Sequence, residues 1–420
     1  MRSRLIILLG CFCFAKAFTA PTLHRRIEKR SRGTLYDKKF ISARVVNARP
    51  ALTLSAALNP VVVKASLSAT AQLLSALGIG GMLAKRNILD KNAVKALSKL
   101  TYHIFQPTFL FVSVARTLRS VSDAQKPSLW IMPIAGIVQI AIGATLAMVT
   151  SRFFRDDTTR RHVQMCTTFA NAGPLPLIFS AALLEGSPLA GMAAAAVSFY
   201  LLAWSPLFWT FGKIILSGPS SNTVNGASDS PLQKVVSGLK QFLSPPVIGS
   251  LIGMLLGSVP RLGNLFFGGV LQPVTGACQT LGTAYLPAVM LVLAGSLVLP
   301  QDDSEQSTAI SSKKSSPWPF VTLFATRFMV MPLLAHTMCR LLIGAGLLGE
   351  HSARSAIFHF ILLLQGCTPP AQNAVVLLQL AGLPAQGMAK LLTGLYVASV
   401  VPMTLLLSWC LSTSGVLAFL

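Results

Sequence analysis

Sliding the chain against itself by 196 residues brings two apolar stretches into register, and this self-similarity narrows the fold more than any other feature of the sequence. At that one offset Pro174 falls on Pro370, Leu184 on Leu380, Gly186 on Gly382, Pro188 on Pro384, Tyr200 on Tyr396 and Pro206 on Pro402. The sharpest match sets GSPLAGMA at 186–193 against GLPAQGMA at 382–389. In each copy a proline-broken hydrophobic segment is followed by a short Gly/Pro loop and another hydrophobic segment. Interrupted segments at corresponding places in two halves mark transporters built from repeats, whose binding site lies where the broken helices meet.

Composition points the same way. With 53% hydrophobic and 11% charged residues the chain is too apolar for a soluble domain, and it reads as an all-α polytopic membrane protein. The net charge of +23 does not imply a nucleic-acid partner. Residues 1–64 hold 13 Lys/Arg against Glu28 and Asp37, and most of the rest lie in short loops beside apolar segments, where they orient helices. Cys11 and Cys13 sit in a leader. Cys166, Cys278, Cys339, Cys367 and Cys410 are scattered singly through apolar segments, so no disulfide framework, metal site or cofactor is expected.

Arg2 and Arg4 precede the apolar run LIILLGCFCFA, and Ala15-Lys16-Ala17 forms a small-x-small cleavage pattern before Phe18. Residues 1–17 therefore read as a signal peptide, too short to span a bilayer as a mature helix. The segment 18–60 is basic, rich in Ser and Ala and nearly free of acids, like a transit peptide. This order, opening on Phe in AFTAP, resembles the two-part leader of algae whose plastids came from an engulfed red alga. That resemblance implies a plastid membrane reached through the secretory route. A plain signal peptide with a basic tail would leave the protein in the endoplasmic reticulum.

Hydropathy places ten spans near 66–84, 97–118, 128–150, 162–184, 190–216, 242–259, 275–299, 319–347, 355–380 and 388–413. A Gly/Ser/Asn/Pro loop at 217–241 separates a first five-helix repeat, 66–216, from a second, 242–413. Five is odd, so the second repeat must enter the bilayer from the opposite side, and the repeats are inverted. Fifteen Lys/Arg in the odd-numbered loops against five in the even ones put the odd loops on the cytoplasmic or stromal side and both termini opposite.

The fourth span carries TTFANAGPLPLIF and the ninth LLQGCTPPAQNAVV. Two prolines within three residues unwind a helix, and each break exposes the N-terminus of a half-helix with unpaired N–H groups and partial positive charge. Asn171, Gln372 and Asn373 stand beside the breaks as neutral hydrogen-bonding amides. The expected ligand is a small organic anion, oriented by dipoles and amides rather than by a countercharge, with Asn171, Gly173, Pro174, Pro176, Pro369, Pro370, Gln372 and Asn373 as the candidate site. His103, His336 and His359 read as packing residues, and Phe199, Trp204, Phe208 and Trp209 as packing or lipid-facing aromatics that could otherwise stack on an aromatic ligand. Arg327 could attract an anion, snorkel or pair with a helix C-terminus.

ANAGPLPL resembles the GNLGNLPL stretch, and LLLQGCTPPAQN with the following LLQLAG resembles the LLLQYALPPAMN and AQLFG stretches, of the PIN-likes (PILS) in the auxin efflux carrier family. LSPPVIGSLIGMLLGSVPRLGNLFFG, SFYLLAW and Arg327 ahead of Pro332 are also similar to that family, and the likeness covers roughly 66–412. It implies ten helices with broken crossover helices 4 and 9, a scaffold of spans 1, 2, 6 and 7, a mobile unit of spans 3–5 and 8–10, and elevator-like uniport of indole-3-acetic acid. By motif match Asn171, Pro176, Pro369, Pro370 and Asn373 carry over as the crossover site. The family's second Asn in the fourth-span motif is Pro174 here, which removes an amide near the ligand.

No Asp or Glu lies well inside a span; Glu185 and Glu350 fall at helix ends or loops. Coupling to Na⁺ or protons through a carboxylate is therefore not expected. Bile acid:sodium symporters share the inverted plan and supply the alternative reading, a sodium-coupled organic anion symporter, but the acidic crossover residue of their sodium site is missing. No paired Asp, HExxH or Ser/His constellation marks an enzyme. The expectation is a membrane carrier exporting or redistributing auxin or a similar carboxylate, with a homodimer left open.

Overall fold

Residues 60–120, 129–184, 186, 187, 189–218, 243–299, 316–348 and 352–419 are described by a computed structural model, and within them the chain is a succession of helices. α1 (Pro60–Lys85) leads to α2 (Lys91–Leu100), which passes through a wide turn at Thr101–Phe105 into α3 (Gln106–Ser120). Then come α4 (Ile131–Ser151), α5 (Asp157–Thr168), α6 (Pro174–Leu183) and α7 (Ala190–Ser217). The second half runs α8 (Pro245–Ser258), α9 (Pro260–Phe267), α10 (Gln272–Thr283), α11 (Tyr285–Val298), α12 (Trp318–Ala325), a second wide turn at Thr326–Val330, α13 (Met331–Gly344), α14 (Ala353–Cys367), α15 (Asn373–Leu380), α16 (Gln386–Ala398) and α17 (Val400–Ser414). Among the described residues the only β-type pairing is the isolated bridge of Ala170 with Pro370.

Local chemistry sets these boundaries. The Asp90 carboxylate accepts the Ala93 N–H at 2.7 Å and opens α2, Asp156 accepts that of Thr159 at 2.7 Å and opens α5, and Ser352 accepts that of Ser355 at 3.1 Å and opens α14. Each wide turn precedes a proline, Pro107 or Pro332, whose ring cannot tolerate the carbonyl one α-turn back. The N–H just ahead of the proline, of Gln106 or Met331, instead donates to the carbonyl five residues back, of Thr101 or Thr326.

Packing forms two groups. In one, α3 lies along α8 and α10, and α1 along α11; in the other, α4 packs on α5 and α7, and α14 on α7, α13 and α17; α1 also meets α6 and α17, and α3 meets α7, across the two. The tightest seam is a glycine row, Gly249, Gly253 and Gly257, one helical turn apart on α8. A Cβ at Gly253 would lie 2.6 Å from the Phe111 carbonyl oxygen, and one at Gly249 would strike the Pro107 carbonyl. Small residues at this spacing let two backbones touch where no hydrophobic effect drives them together.

Among the described residues, four helical segments are by length and composition long and apolar enough to cross a bilayer: 131–151, 190–217, 272–298 and 318–344. Two bent pairs, α8–α9 at 107° and α16–α17 at 58°, bring the number to six. The fourth and ninth expected spans are each two half-helices, α5–α6 and α14–α15. The expected signal peptide at 1–17, residues 18–59 of the expected transit-peptide-like segment, most of the 217–241 loop, Glu185, Pro188 and Glu350 lie outside the described residues.

The repeat register holds at the turn after each second half-helix, where Gly186 and Gly382 both take left-handed φ, 76° and 68°. It slips at the breaks. Pro174 and Asn373, which open α6 and α15, are 199 residues apart, so Pro174 begins a helix while its 196-offset partner Pro370 lies within a break.

Gly253→Ala is expected to destabilise the protein by about 1–3 kcal/mol, because the new methyl meets backbone that must shift. Gly276→Ala on α10, where a Cβ meets nothing within 4 Å, is expected to be neutral or slightly stabilising. Thermal unfolding of the two variants in one detergent checks the contrast.

Candidate functional site

Two unwound segments, 169–173 between α5 and α6 and 368–372 between α14 and α15, cross each other antiparallel. The Asn171 N–H donates to the Pro369 carbonyl at 2.8 Å, and the Ala371 N–H donates to the Phe169 carbonyl at 3.0 Å. Each break thus satisfies the other's freed backbone groups, which hydrocarbon cannot do.

The prolines act differently in the two breaks. Pro369 forces Thr368 into an extended conformation, ψ 148°, and Pro369 and Pro370 hold the chain outside the helix. Pro174 and Pro176 instead stand in the first turn of α6, where a missing N–H costs nothing, and the unwinding lies ahead of them. The sequence expectation that this second pair causes the break is corrected on that point. Having no N–H, these two prolines also leave the start of α6 with fewer donors than an ordinary helix N-terminus.

Side chains complete the crossing. Asn171 donates from its amide to the Tyr396 hydroxyl at 2.7 Å, and that hydroxyl donates to the Pro370 carbonyl at 3.0 Å. The Gln365 amide donates to the Ala172 carbonyl at 2.9 Å. Behind the crossing lies Arg327, in the second wide turn and fully buried at 0% exposure. Its guanidinium donates to the Thr368 carbonyl at 2.8 and 3.3 Å and to the Thr167 carbonyl at 3.2 Å. Of the three roles open to it in the sequence, the structure selects helix C-termini, and it selects two at once.

On its other face the crossing borders a cleft. Asn171, Gly173, Pro174, Ala371, Gln372 and Asn373 line it from the breaks, Leu201, Trp204 and Ser205 from α7, and Gln106, Phe109, Leu110 and Tyr285 from α3 and α11. Five of the eight candidate residues therefore meet here; Pro176, Pro369 and Pro370 do not line the cleft. Its free volume, about 10 Å³ for the centres of water-sized spheres, suits about one water. Asn373 donates to the Tyr285 hydroxyl at 2.6 Å, and Tyr285 stacks on Phe109 at 5.3 Å.

Many of the buried polar atoms here have no hydrogen-bond partner in the protein: Gln106 Oε1, both side-chain heteroatoms of Gln372, Asn373 Oδ1, Trp204 Nε1 and Ser205 Oγ. Buried polar atoms are normally paired, so a cluster of unpaired ones marks a surface built for something polar. No Lys or Arg lines the cleft. The described carboxylates, Asp90, Asp156 and Asp157, are at helix N-caps or first turns, and no group of three His, Cys, Asp or Glu suited to a metal occurs among the described residues.

Of the four α7 aromatics singled out in the sequence only Trp204 reaches the cleft, stacked on Phe208 at 4.6 Å; Phe199 packs edge-on to Trp130. Gln106, Phe109 and Tyr285 were missed in the sequence because they come from helices that take no part in the crossing. Tyr396 had a signal, its match to Tyr200 at the repeat offset. Tyr200 donates to Gln139 at 2.8 Å, and the Gln139 amide donates to the Leu362 carbonyl of α14 at 2.9 Å.

Comparison with known proteins places this geometry. A family model described as membrane transport protein matches residues 65–407. Protein PIN-LIKES 1 of Arabidopsis thaliana is 24% identical over 74% of this chain and 71% of its own length. Protein PIN-LIKES 5 of the same plant is 22% identical over 78% and 92%. An uncharacterized transporter of Schizosaccharomyces pombe is 23% identical over 79% and 92%.

Tyr396→Phe removes the hydroxyl that serves both Asn171 and Pro370, leaving a buried amide and a carbonyl unpaired. The expected cost is about 1–3 kcal/mol, read as a lower midpoint in thermal unfolding.

Proposed function

We propose, for a chain that belongs to the membrane transport protein family and is of the PIN-like type among auxin efflux carriers, that it carries auxin or a similar small organic carboxylate by elevator-type alternating access without ion coupling. One observation carries the reading: the N-terminal ends of α6 and α15 and a set of unpaired buried amides converge on one cleft. Helix N-termini and the unpaired donors Gln372 Nε2 and Trp204 Nε1 suit a carboxylate. Phe109, Trp204 and Tyr285 supply flat apolar surface for an attached ring.

In this reading 66–216 and 242–413 are inverted five-helix repeats, ten spans in all, joined by the 217–241 loop. The packing of α3 on α8 and of α1 on α11 supports a scaffold, and the second packing group supports a mobile unit that carries both breaks. An indole acetate is far larger than the cleft as it stands, so binding must part α3 and α11 from α7 and the breaks. The absence of carboxylates among the described mid-helix residues supports uniport, in which an anion follows its electrochemical gradient, about 2.3 kcal/mol per charge for each 100 mV. The leader favours a plastid membrane over the endoplasmic reticulum.

Purified protein in liposomes is expected to take up labelled indole-3-acetate equally with and without a Na⁺ gradient. Dependence on Na⁺ would favour the symporter alternative. Asn373→Ala is expected to cut uptake about tenfold or more while the protein remains folded; unchanged uptake counts against the site. A fluorescent protein fused behind residues 1–60 is expected to reach the plastid, and retention in the endoplasmic reticulum would remove the plastid assignment.

A further inference from the structure

A crossing of broken helices is not an anion site by virtue of its dipoles alone. Each helix end carries about half an elementary charge, positive at the N-terminus and negative at the C-terminus. Here four ends, two of each kind, meet within two five-residue breaks: the C-termini of α5 and α14, and the N-termini of α6 and α15. Summed, two half-charges of each sign cancel, and an approaching anion meets no net attraction from them. Pro174 and Pro176 weaken the positive side further by withholding N–H donors.

Arg327 breaks the balance. Its three hydrogen bonds all go to backbone carbonyls at the two negative ends, Thr167 in the last turn of α5 and Thr368 just past α14. It is fully buried, it does not line the cleft, and the described carboxylates are at helix N-terminal turns elsewhere in the chain. One full positive charge set against two negative half-charges cancels the C-terminal ends and leaves the N-terminal pair uncompensated. Independently of the dipoles, Gln106, Gln372 and Asn373, each at least 95% buried, point unpaired polar atoms into the same cleft, so the surface facing the uncompensated ends is built to receive a polar group.

We infer that Arg327 is a positioning residue that confers the preference for a negative charge on the cleft, from behind the crossing and without touching the ligand. The wide turn at Thr326–Val330 belongs to this device, since it is where Pro332 distorts the helix that carries Arg327. The inference deepens the carrier reading and rests on it.

The test compares acids with their neutral amides, indole-3-acetate against indole-3-acetamide and phenylacetate against phenylacetamide, for binding to full-length protein in liposomes. Arg327→Gln is expected to reduce the preference for acid over amide by about tenfold or more, while amide binding changes little. Arg327→Lys keeps the charge but not the planar fork, and is expected to keep the preference within about threefold even if stability falls. A loss of acid and amide binding in equal measure in R327Q, or loss of the preference in R327K as well as R327Q, overturns the inference. Should R327Q not fold, Arg327→Met carries the same test: its preference for acid over amide is expected to fall by about tenfold or more with amide binding little changed, and an unchanged preference overturns the inference. Failure of the wild type to bind either acid defeats the carrier reading together with this one. Binding with an unchanged preference in R327Q defeats this one alone.

Discussion

Unwinding a helix inside hydrocarbon frees backbone groups that lipid cannot satisfy, and everything at the centre of this protein follows from how that demand is met. The two breaks pair with each other through Asn171 N–H to Pro369 and Ala371 N–H to Phe169. Tyr396 takes the carbonyl that Pro370 leaves exposed, and Arg327 takes those at Thr167 and Thr368. Neither break could exist without the other. Their mutual dependence ties α5–α6 to α14–α15 and gathers their side chains at one cleft.

The elements most legible in the sequence were those with a local cause. Prolines beside amides marked both breaks, and the apolar runs fell where helices form. Gly186 and Gly382 held the repeat register because a left-handed turn constrains residue type strongly. The register failed at Pro174 and Pro370 because a proline is equally at home in an extended break and in the first turn of a helix, so matching letters did not mean matching conformations. Gln106, Phe109 and Tyr285 stayed hidden for a different reason. They reach the cleft through the packing of helices outside the crossing, which no short-range pattern encodes. Arg327 was visible as an expensive residue, but its role needed the positions of two carbonyls 201 residues apart in the chain, Thr167 and Thr368.

Polar residues in the apolar interior fall into two kinds. Gln139, Tyr200 and Tyr396 are engaged within the packing that surrounds the crossing, whereas Gln106, Gln372 and Asn373 keep atoms unpaired at the cleft. The first kind makes the crossing rigid. The second keeps its open face unsatisfied, a cost that a protein bears only at a working surface.

The glycine row on α8 has a mechanical counterpart elsewhere. Where α3 meets α8, main chain rests directly on main chain, so sliding would jam carbonyls against Cα atoms: the joint is keyed. Between α3 and α7 and between α15 and α11, by contrast, the described side-chain hydrogen bonds are single ones, Ser113 with Ser198 at 2.7 Å, Asn373 with Tyr285 at 2.6 Å and Gln379 with Ser296 at 3.0 Å. Each can be traded for another partner at small cost. Sliding of α3 along α8 would therefore meet collisions of carbonyl with Cα that a single exchangeable hydrogen bond does not impose.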